Sequence, residues 1–267
     1  MPLDPRVIAA AVEAHDGVSP LNDSARLVLE GSRKGEVITE GDGFAVLDDH
    51  DETILLAVSP GARGRGLGTQ LAIRALKARP NHNFWAFRTT PAAQAIAKKL
   101  GLSPARELLR MGHVLSSAPP THAPAGYRIR PYQPSDAAAV VEVNRVAFAH
   151  HPEQGRLTLE DFRALTRQTW FEGAGLLVAV TGNEIVGFHW TKRHDATVGE
   201  VYVIAVLPDH SGGGLGRALL SAGLAHLKAI GCERVELYVE ASEERVVAMY
   251  QAAGFKTLTV DTNYHRP

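Results

Sequence analysis

The stretches VSPGARGRGLGTQL (Val58–Leu71) and VLPDHSGGGLGRAL (Val206–Leu219) are two copies of one motif, 148 positions apart, and that recurrence decides how the chain is read. In each, a β-branched, apolar run meets a proline, passes through a glycine-rich turn and enters an amphipathic segment. Self-similarity over such a distance in 267 residues points to a duplicated domain. Between the copies, SSAPPTHAPAG (Ser116–Gly126) is rich in Pro, Ala and Ser and has no period, so it reads as an extended linker. The expected organisation is a first domain over 1–115, a linker over 116–126 and a second domain over 127–267.

Outward from the motif, both halves follow one order. In the second, Gly175–Thr181, Glu184–His189 and Gly199–Val206 read as strands from their alternation and β-branched content. Leu219, Leu220, Leu224 and Leu227 recur at helical spacing within 215–230, and Gly231 supplies a stop. A strand from Arg234, a helix over Arg245–Ala253 ended by Gly254, and a strand over Lys256–Val260 follow. The first half offers Thr53–Val58, Gly68–Lys77, Phe84–Phe87, Ala92–Leu100 and Arg106–Met111 in the same sequence of types. Each half is expected to be α/β (α+β), a mixed sheet flanked by helices.

Composition narrows the class. Hydrophobic residues make up 45% and charged residues 21%, the balance of a folded globular chain, and a net charge of -1 gives no reason to expect nucleic acid or an anionic membrane as partner. Only Cys232 is present, so no disulfide can form within the chain. It stands between an apolar helix and an apolar strand, where a free Cys behaves as a small hydrophobe. No leader-like or membrane-spanning apolar run is found, and the default is a cytoplasmic monomer. His150 and His151 are adjacent, but no third ligand stands at a recognisable spacing, so no metal is expected.

A glycine loop opening a helix lets backbone approach a phosphate, and the helix N-terminus favours the negative charge. Taken alone it reads equally as a plain structural turn. Neither copy has the Lys-Ser/Thr of a Walker sequence. The whole pattern, Val58, Pro60, Arg63, Gly66 and Gly68, then Val206, Pro208, Gly214 and Gly216, resembles the GNAT (acyl-CoA N-acyltransferase) superfamily. Its central strand leads into a loop that holds the pyrophosphate of acetyl-CoA. Ser211 departs from that pattern, standing where Arg or Gln is usual.

A closer resemblance covers most of the chain. HHPEQG (His150–Gly155), GFHWTK (Gly187–Lys192), GEVYV (Gly199–Val203), ELYVE (Glu236–Glu240), MYQAAGF (Met249–Phe255) and VDTNY (Val260–Tyr264) resemble, in order, the mycothiol synthase family of tandem GNAT proteins. The resemblance implies N-acetylation of the cysteinyl amine of cysteinyl-glucosaminyl-inositol, a small pseudo-disaccharide thiol, with acetyl-CoA as cosubstrate. It implies a catalytic second domain and a first domain that binds cofactor or supports the fold. Acetyl-CoA contacts are expected from Leu56, Ala57, Val58, Arg63, Gly64, Gly66 and Gly68 in the first copy. In the second they are expected from Ile204, Ala205, Val206, Ser211, Gly212, Gly213, Gly214, Leu215, Gly216 and Arg217, and from Glu243, Arg245, Val246 and Ala248 further on. Glu243 stands where an Asn is common. Acceptor contacts are implied for Asp23, where the family has Glu, and for Glu153, Lys192, Glu200 and Tyr238.

The reaction needs a base for the amine and an acid for the departing thiolate. An α-amino group has a pKa of about 7.7 to 8.0, so a carboxylate needs to supply little driving force. Glu200 is the candidate base, although a Glu in that strand also reads as a plain surface residue. Tyr250 is the candidate acid; on the helix pattern alone the reading as an amphipathic core residue is favoured, and the resemblance reverses that. At the matching place of the first half stands Ala97, while Glu52 answers to Glu200. A GNAT enzyme for another small amine or a protein N-terminus would keep the loops but not HHPEQG with GFHWTK. A non-catalytic acetyl-CoA sensor would be expected to lack both Glu200 and Tyr250.

Overall fold

The computed structural model describes residues 3–150 and 154–267. By contacts the chain forms two compact units. Unit 1 takes the chain up to Leu109 together with Glu240–Glu244 and Leu258–Pro267; unit 2 takes Arg110–Val239 and Arg245–Thr257. The stretch 116–126, which lies in unit 2, has no regular secondary structure.

Unit 1 opens with α1 (Pro5–Asp16) and α2 (Asp23–Leu29). Asp4 caps α1 by accepting from the Arg6 N–H and Gly17 ends it in the left-handed conformation; Asn22 caps α2. Strands β1 (Gly35–Glu40), β2 (Gly43–Asp48) and β3 (Thr53–Val58) form an antiparallel meander. Helix α3 (Leu67–Ala78) leads to β4 (Asn83–Ala86), which pairs parallel with β3, and α4 (Pro91–Lys99) leads to β5 (Ser103–Val114). The unit's sheet is extended by the end of the chain, where Thr262, Asn263 and Tyr264 pair antiparallel with Ala86, Trp85 and Phe84. Strand β2 is buried along its whole length because both its faces are covered. Ala45 and Leu47 pack with Leu71, Ala75 and Leu76 of α3, and Phe44 and Val46 with Ile8, Val12, Ala25 and Val28 of α1 and α2.

Unit 2 contains β6 (Arg128–Pro131), α5 (Ala137–Ala147), α6 (Leu159–Leu165), β7 (Leu176–Thr181), β8 (Glu184–Arg193) and β9 (Val198–Val206). It continues through α7 (Leu215–Ala229), β10 (Arg234–Glu240), α8 (Glu244–Ala252) and β11 (Lys256–His265), whose residues from Leu258 on belong to unit 1. The strands lie in the order β6-β7-β8-β9-β10, antiparallel up to β9 and parallel between β9 and β10. Leu215 and Leu219 of α7 pack on Ala179, Val186, Ile204 and Val206 on one face. Val140 and Val143 of α5 and Phe162 of α6 pack on Val178, Phe188 and Trp190 on the other.

Each unit is thus a mixed sheet with helices on both faces, as expected. The elements read from the sequence are present, while α1, α2, β1, β2, β6, α5 and α6 fall in stretches that had been assigned no element. A single irregularity matters for the site. Trp190 faces Val203 and Thr191 faces Val201, so Tyr202 is an extra residue in β9, a β-bulge. The bulge changes the alternation of β9. Val203 and Ala205 face α5 and α6 with Tyr202, while Ile204 and Val206 face α7.

Candidate active site

In each unit the two parallel strands part soon after they meet. The β3–β4 ladder stops after Ile54 and Phe84, although β3 runs to Val58; the β9–β10 ladder stops after Glu200 and Glu236, although β9 runs to Val206. Beyond those points β3 and β9 keep their antiparallel partners β2 and β8 on one edge only. The expected contact residues Leu56, Ala57, Val58, Ile204, Ala205 and Val206 all lie on these opened stretches. Such an edge presents backbone N–H and C=O groups in extended array and suits an amide-bearing arm laid beside it like a strand.

The opened strands run into the glycine loops. Gly64, Gly66, Gly212 and Gly214 have φ of 77°, 83°, 84° and 88°, a conformation that costs other residues roughly 1–2 kcal/mol. Gly213 is different: its φ is ordinary, and a Cβ there would meet no atom within 4 Å. The fold itself leaves that space clear, as a close guest requires. Helices α3 and α7 begin at Gly66 and Gly214 with no side-chain cap, whereas Asp4, Asn22, Thr90 and Thr158 cap α1, α2, α4 and α6. The first-turn N–H groups of α3 and α7 are therefore left for an anion. These features fit the pyrophosphate and amide arm of acetyl-CoA.

The two loops differ in their flanks. Arg63 donates to both carboxylate oxygens of Asp16, at 2.9 and 2.7 Å, and to the Val58 carbonyl at 3.2 Å. That pairing pulls the Asp16 carboxyl down to about 2. The Arg63 guanidinium is thus committed to a carboxylate of its own unit. Ser211 donates to the Pro208 carbonyl at 2.8 Å and so braces the second loop. Leu215 is buried, so only its backbone faces the loop; Arg217, Glu243, Arg245 and Ala248 are exposed and Val246 is half-buried.

Glu200 is at the point where β9 and β10 part, opposite Lys192 of β8 and Glu236 of β10. It is buried, and its Oε2 lies 2.7 Å from Nε2 of His194. Burial pushes its carboxyl above the ordinary value; His194 and Lys192 pull it down, and Glu236 pushes it up. Glu236 is itself held by Arg110 at 2.7 Å. The Lys192 ammonium lies 4.7 Å from the Trp170 ring centroid and 5.2 Å from that of Tyr202. A cavity of about 290 Å³ adjoins this face, lined among others by Trp190, Tyr202, Phe162 and Asn144.

Tyr250 is the buried residue of α8, its ring edge-on to Phe255 at 5.7 Å. Burial raises its phenol well above the usual tyrosine range. Tyr238 lies on the same side of β10 as Glu236, since Val235, Leu237 and Val239 take the buried side. Unit 2 therefore gathers Glu200, Lys192 and Tyr238 on one sheet face. Asp23 is exposed in the first turn of α2 in unit 1, and Glu153 and His151 lie outside the described residues. Sequence reasoning missed His194, Tyr202 and Trp170, which meet the site only through the β8–β9 turn, the bulge and the packing of the segment after α6. Among the described residues no group of three or more His, Cys, Asp or Glu could hold a metal ion, and no helix is long and apolar enough to cross a membrane.

Comparison with known proteins finds acetyltransferases. The model of the Acetyltransferase (GNAT) family matches residues 143–255. A mycothiol acetyltransferase of Propionibacterium freudenreichii subsp. shermanii is 42% identical over 272 residues, covering 96% of this chain and 86% of that protein. One of Thermobispora bispora is 42% identical, covering 96% and 92%, and one of Actinosynnema mirum 40% identical, covering 97% and 93%. Among solved structures, a GCN5-related N-acetyltransferase from Sphaerobacter thermophilus superposes with a TM-score of 0.72 at 24% identity, covering 98% of this chain and 91% of that one. A tandem GNAT protein from the clavulanic acid biosynthesis pathway gives 0.58 at 19% identity, covering 86% and 78%.

Proposed function

The chain belongs to the mycothiol acetyltransferase family of GNAT enzymes, and from that premise we propose that unit 2 acetylates the cysteinyl amine of cysteinyl-glucosaminyl-inositol while unit 1 does not turn over. The chain is an acetyl-CoA-dependent N-acetyltransferase of mycothiol biosynthesis. Acetyl-CoA supplies the acyl group already activated as a thioester. Gly212, Gly213, Gly214 and the uncapped start of α7 would hold its pyrophosphate, and the opened edge of β9 its amide arm.

The observation that carries the reading is the buried carboxylate of Glu200 at the mouth of the opened strands, facing Lys192 and Tyr238. Glu200 takes the proton of the acceptor's ammonium; its raised carboxyl brings it closer to the amine's own pKa and so makes it the better base. Tyr250 donates a proton to the leaving sulfur. Lys192, with its ammonium against two aromatic faces, donates to acceptor oxygens. Glu153 and Asp23 are carried by the resemblance alone.

The test is acetylation by the purified protein of cysteinyl-glucosaminyl-inositol, glucosaminyl-inositol and free cysteine, followed by thiol release from acetyl-CoA. The cysteinyl-glucosaminyl compound is expected to be the fastest acceptor. Equal rates with glucosaminyl-inositol, or none with any of the three, would reject the assignment.

A further inference from the structure

We propose that His194 is a positioning residue for Glu200, holding Oε2 through Nε2 so that Oε1 is presented to the acceptor amine as a carboxylate oxygen. This deepens the reading above and rests on Glu200 being the base. The contact is 2.7 Å, and it joins a side chain 44% exposed to one only 11% exposed, so His194 stands between the buried carboxylate and solvent.

The turn that carries His194 is built to keep it there. Asp195 Oδ1 accepts from the N–H groups of Thr197 and Val198 at 2.7 and 2.9 Å and from the Thr197 hydroxyl at 3.0 Å. Arg193 donates to the carbonyls of Asp195 and Ala196 at 2.8 and 3.1 Å, and the His194 N–H donates to the Val198 carbonyl at 2.9 Å. A surface histidine on a loose loop would lose much of one hydrogen bond to side-chain entropy; this one is set by the backbone around it.

The groups facing Glu200 make the contact necessary. From β8 comes Lys192, whose ammonium is drawn to the Trp170 and Tyr202 rings; from β10 comes Glu236, an anion held by Arg110 of β5; on β9 itself Tyr202 is neutral. Burial and Glu236 both favour the protonated form, and a Glu200 raised so far that it is protonated at the working pH would be no base. A hydrogen bond donated by His194 opposes them.

The experiment compares His194→Ala, His194→Gln and Glu200→Gln in the full-length protein, recording kcat/KM for the acceptor from pH 6 to 9 and acetyl-CoA binding by calorimetry. His194→Ala should lower kcat/KM near pH 6.5 by about 10- to 100-fold, the worth of a hydrogen bond to a charged group. It should recover most of that loss by pH 9, because the acid limb moves to higher pH. His194→Gln, which still offers a hydrogen-bond donor, should restore most of the rate, and acetyl-CoA binding should be unchanged in both. A loss of equal size at every pH would overturn the inference, as would a wild-type profile in His194→Ala. If Glu200→Gln keeps wild-type turnover, it is the base assignment that fails, whatever His194 does.

Discussion

Units 1 and 2 share a parting pair of parallel strands and a glycine loop opening an uncapped helix, yet only unit 2 has the residues proposed for the reaction. Glu200 lies within β9, buried and held by His194. Glu52, its counterpart by position, is exposed in the turn before β3 with φ of 51°, where nothing aims it along the opened strand. Tyr250 answers to Ala97, buried on α4 with no polar atom in its side chain. The backbone features that suit a cofactor have therefore been kept in both units, while the side chains that suit proton transfer stand in one. On the proposed reading, binding and chemistry are separable properties of this fold.

The strongest way to break this comparison is to remove the proton-transfer groups. Glu200→Gln and Tyr250→Phe should each lower turnover by ~10²- to 10⁴-fold with acetyl-CoA affinity nearly unchanged, and Glu52→Gln should leave turnover within about twofold. Steady-state rates across pH 6 to 9 and calorimetry decide it. Wild-type rates in the first two would remove any functional contrast between the units. Loops come next. Gly214→Val should abolish acetylation by placing a side chain at the start of α7, whereas Gly66→Val should weaken a unit 1 site and leave most activity. A folded Gly66→Val protein without turnover would mean that catalysis is not confined to unit 2.

Smaller effects concern acid sensitivity. His189 is fully buried with Nδ1 donating to the Leu219 carbonyl at 2.8 Å, and burial lowers its pKa to about 4. Its unfolded value is near 6.5, so between 6.5 and 4 the unfolded chain binds the extra proton and stability falls with pH, by ~3 kcal/mol in all. Urea unfolding of His189→Gln should lack that slope. Asp16 in unit 1 works in a lower window. Its carboxyl is depressed from 3.8 to about 2, so the stabilisation by Arg63 is present above 4 and fades as pH falls toward 2. Since the pair is partly exposed, ~1 kcal/mol is expected, seen as a shallower decline in Asp16→Asn over that range. Identical curves for wild type and either variant would show that the group does not titrate with folding.

What could be read in advance followed from local physics. β-branched alternation, helical spacing of Leu219, Leu220, Leu224 and Leu227, and glycines at Gly66 and Gly214 each act over a few residues, and the elements they mark are all present. The stretches forming α1, α2, α5 and α6 were not assigned, although Asp4, Asn22 and Thr158 stand as caps before three of these helices. The pairing of Thr262, Asn263 and Tyr264 with β4 was beyond reach, because no spacing reports which sheet the last strand joins. Glu200 and Tyr250 are carried by family resemblance, and burial adds a physical reason for Glu200 alone, by raising its carboxyl toward the amine's pKa. His194 carried a weak local signal, the Asp-x-Thr turn that follows it, but its partner is fixed only once β8 and β9 are aligned.

The extra residue at Tyr202 has a consequence for any attempt to give unit 1 a reaction of its own. In β9 it acts as a change of phase: residues before it count odd and even one way, residues after it the other, so Glu200 shares its face with Val203 and Ala205 and not with Ile204 and Val206. The β2–β3 ladder runs without a break in count from Thr53 to Val58. Exchanging side chains there, even Ala97 to tyrosine and a glutamate into β3, leaves the parity of the strand unaltered. An inserted residue, not a substituted one, is the smallest edit that brings the two strands into step.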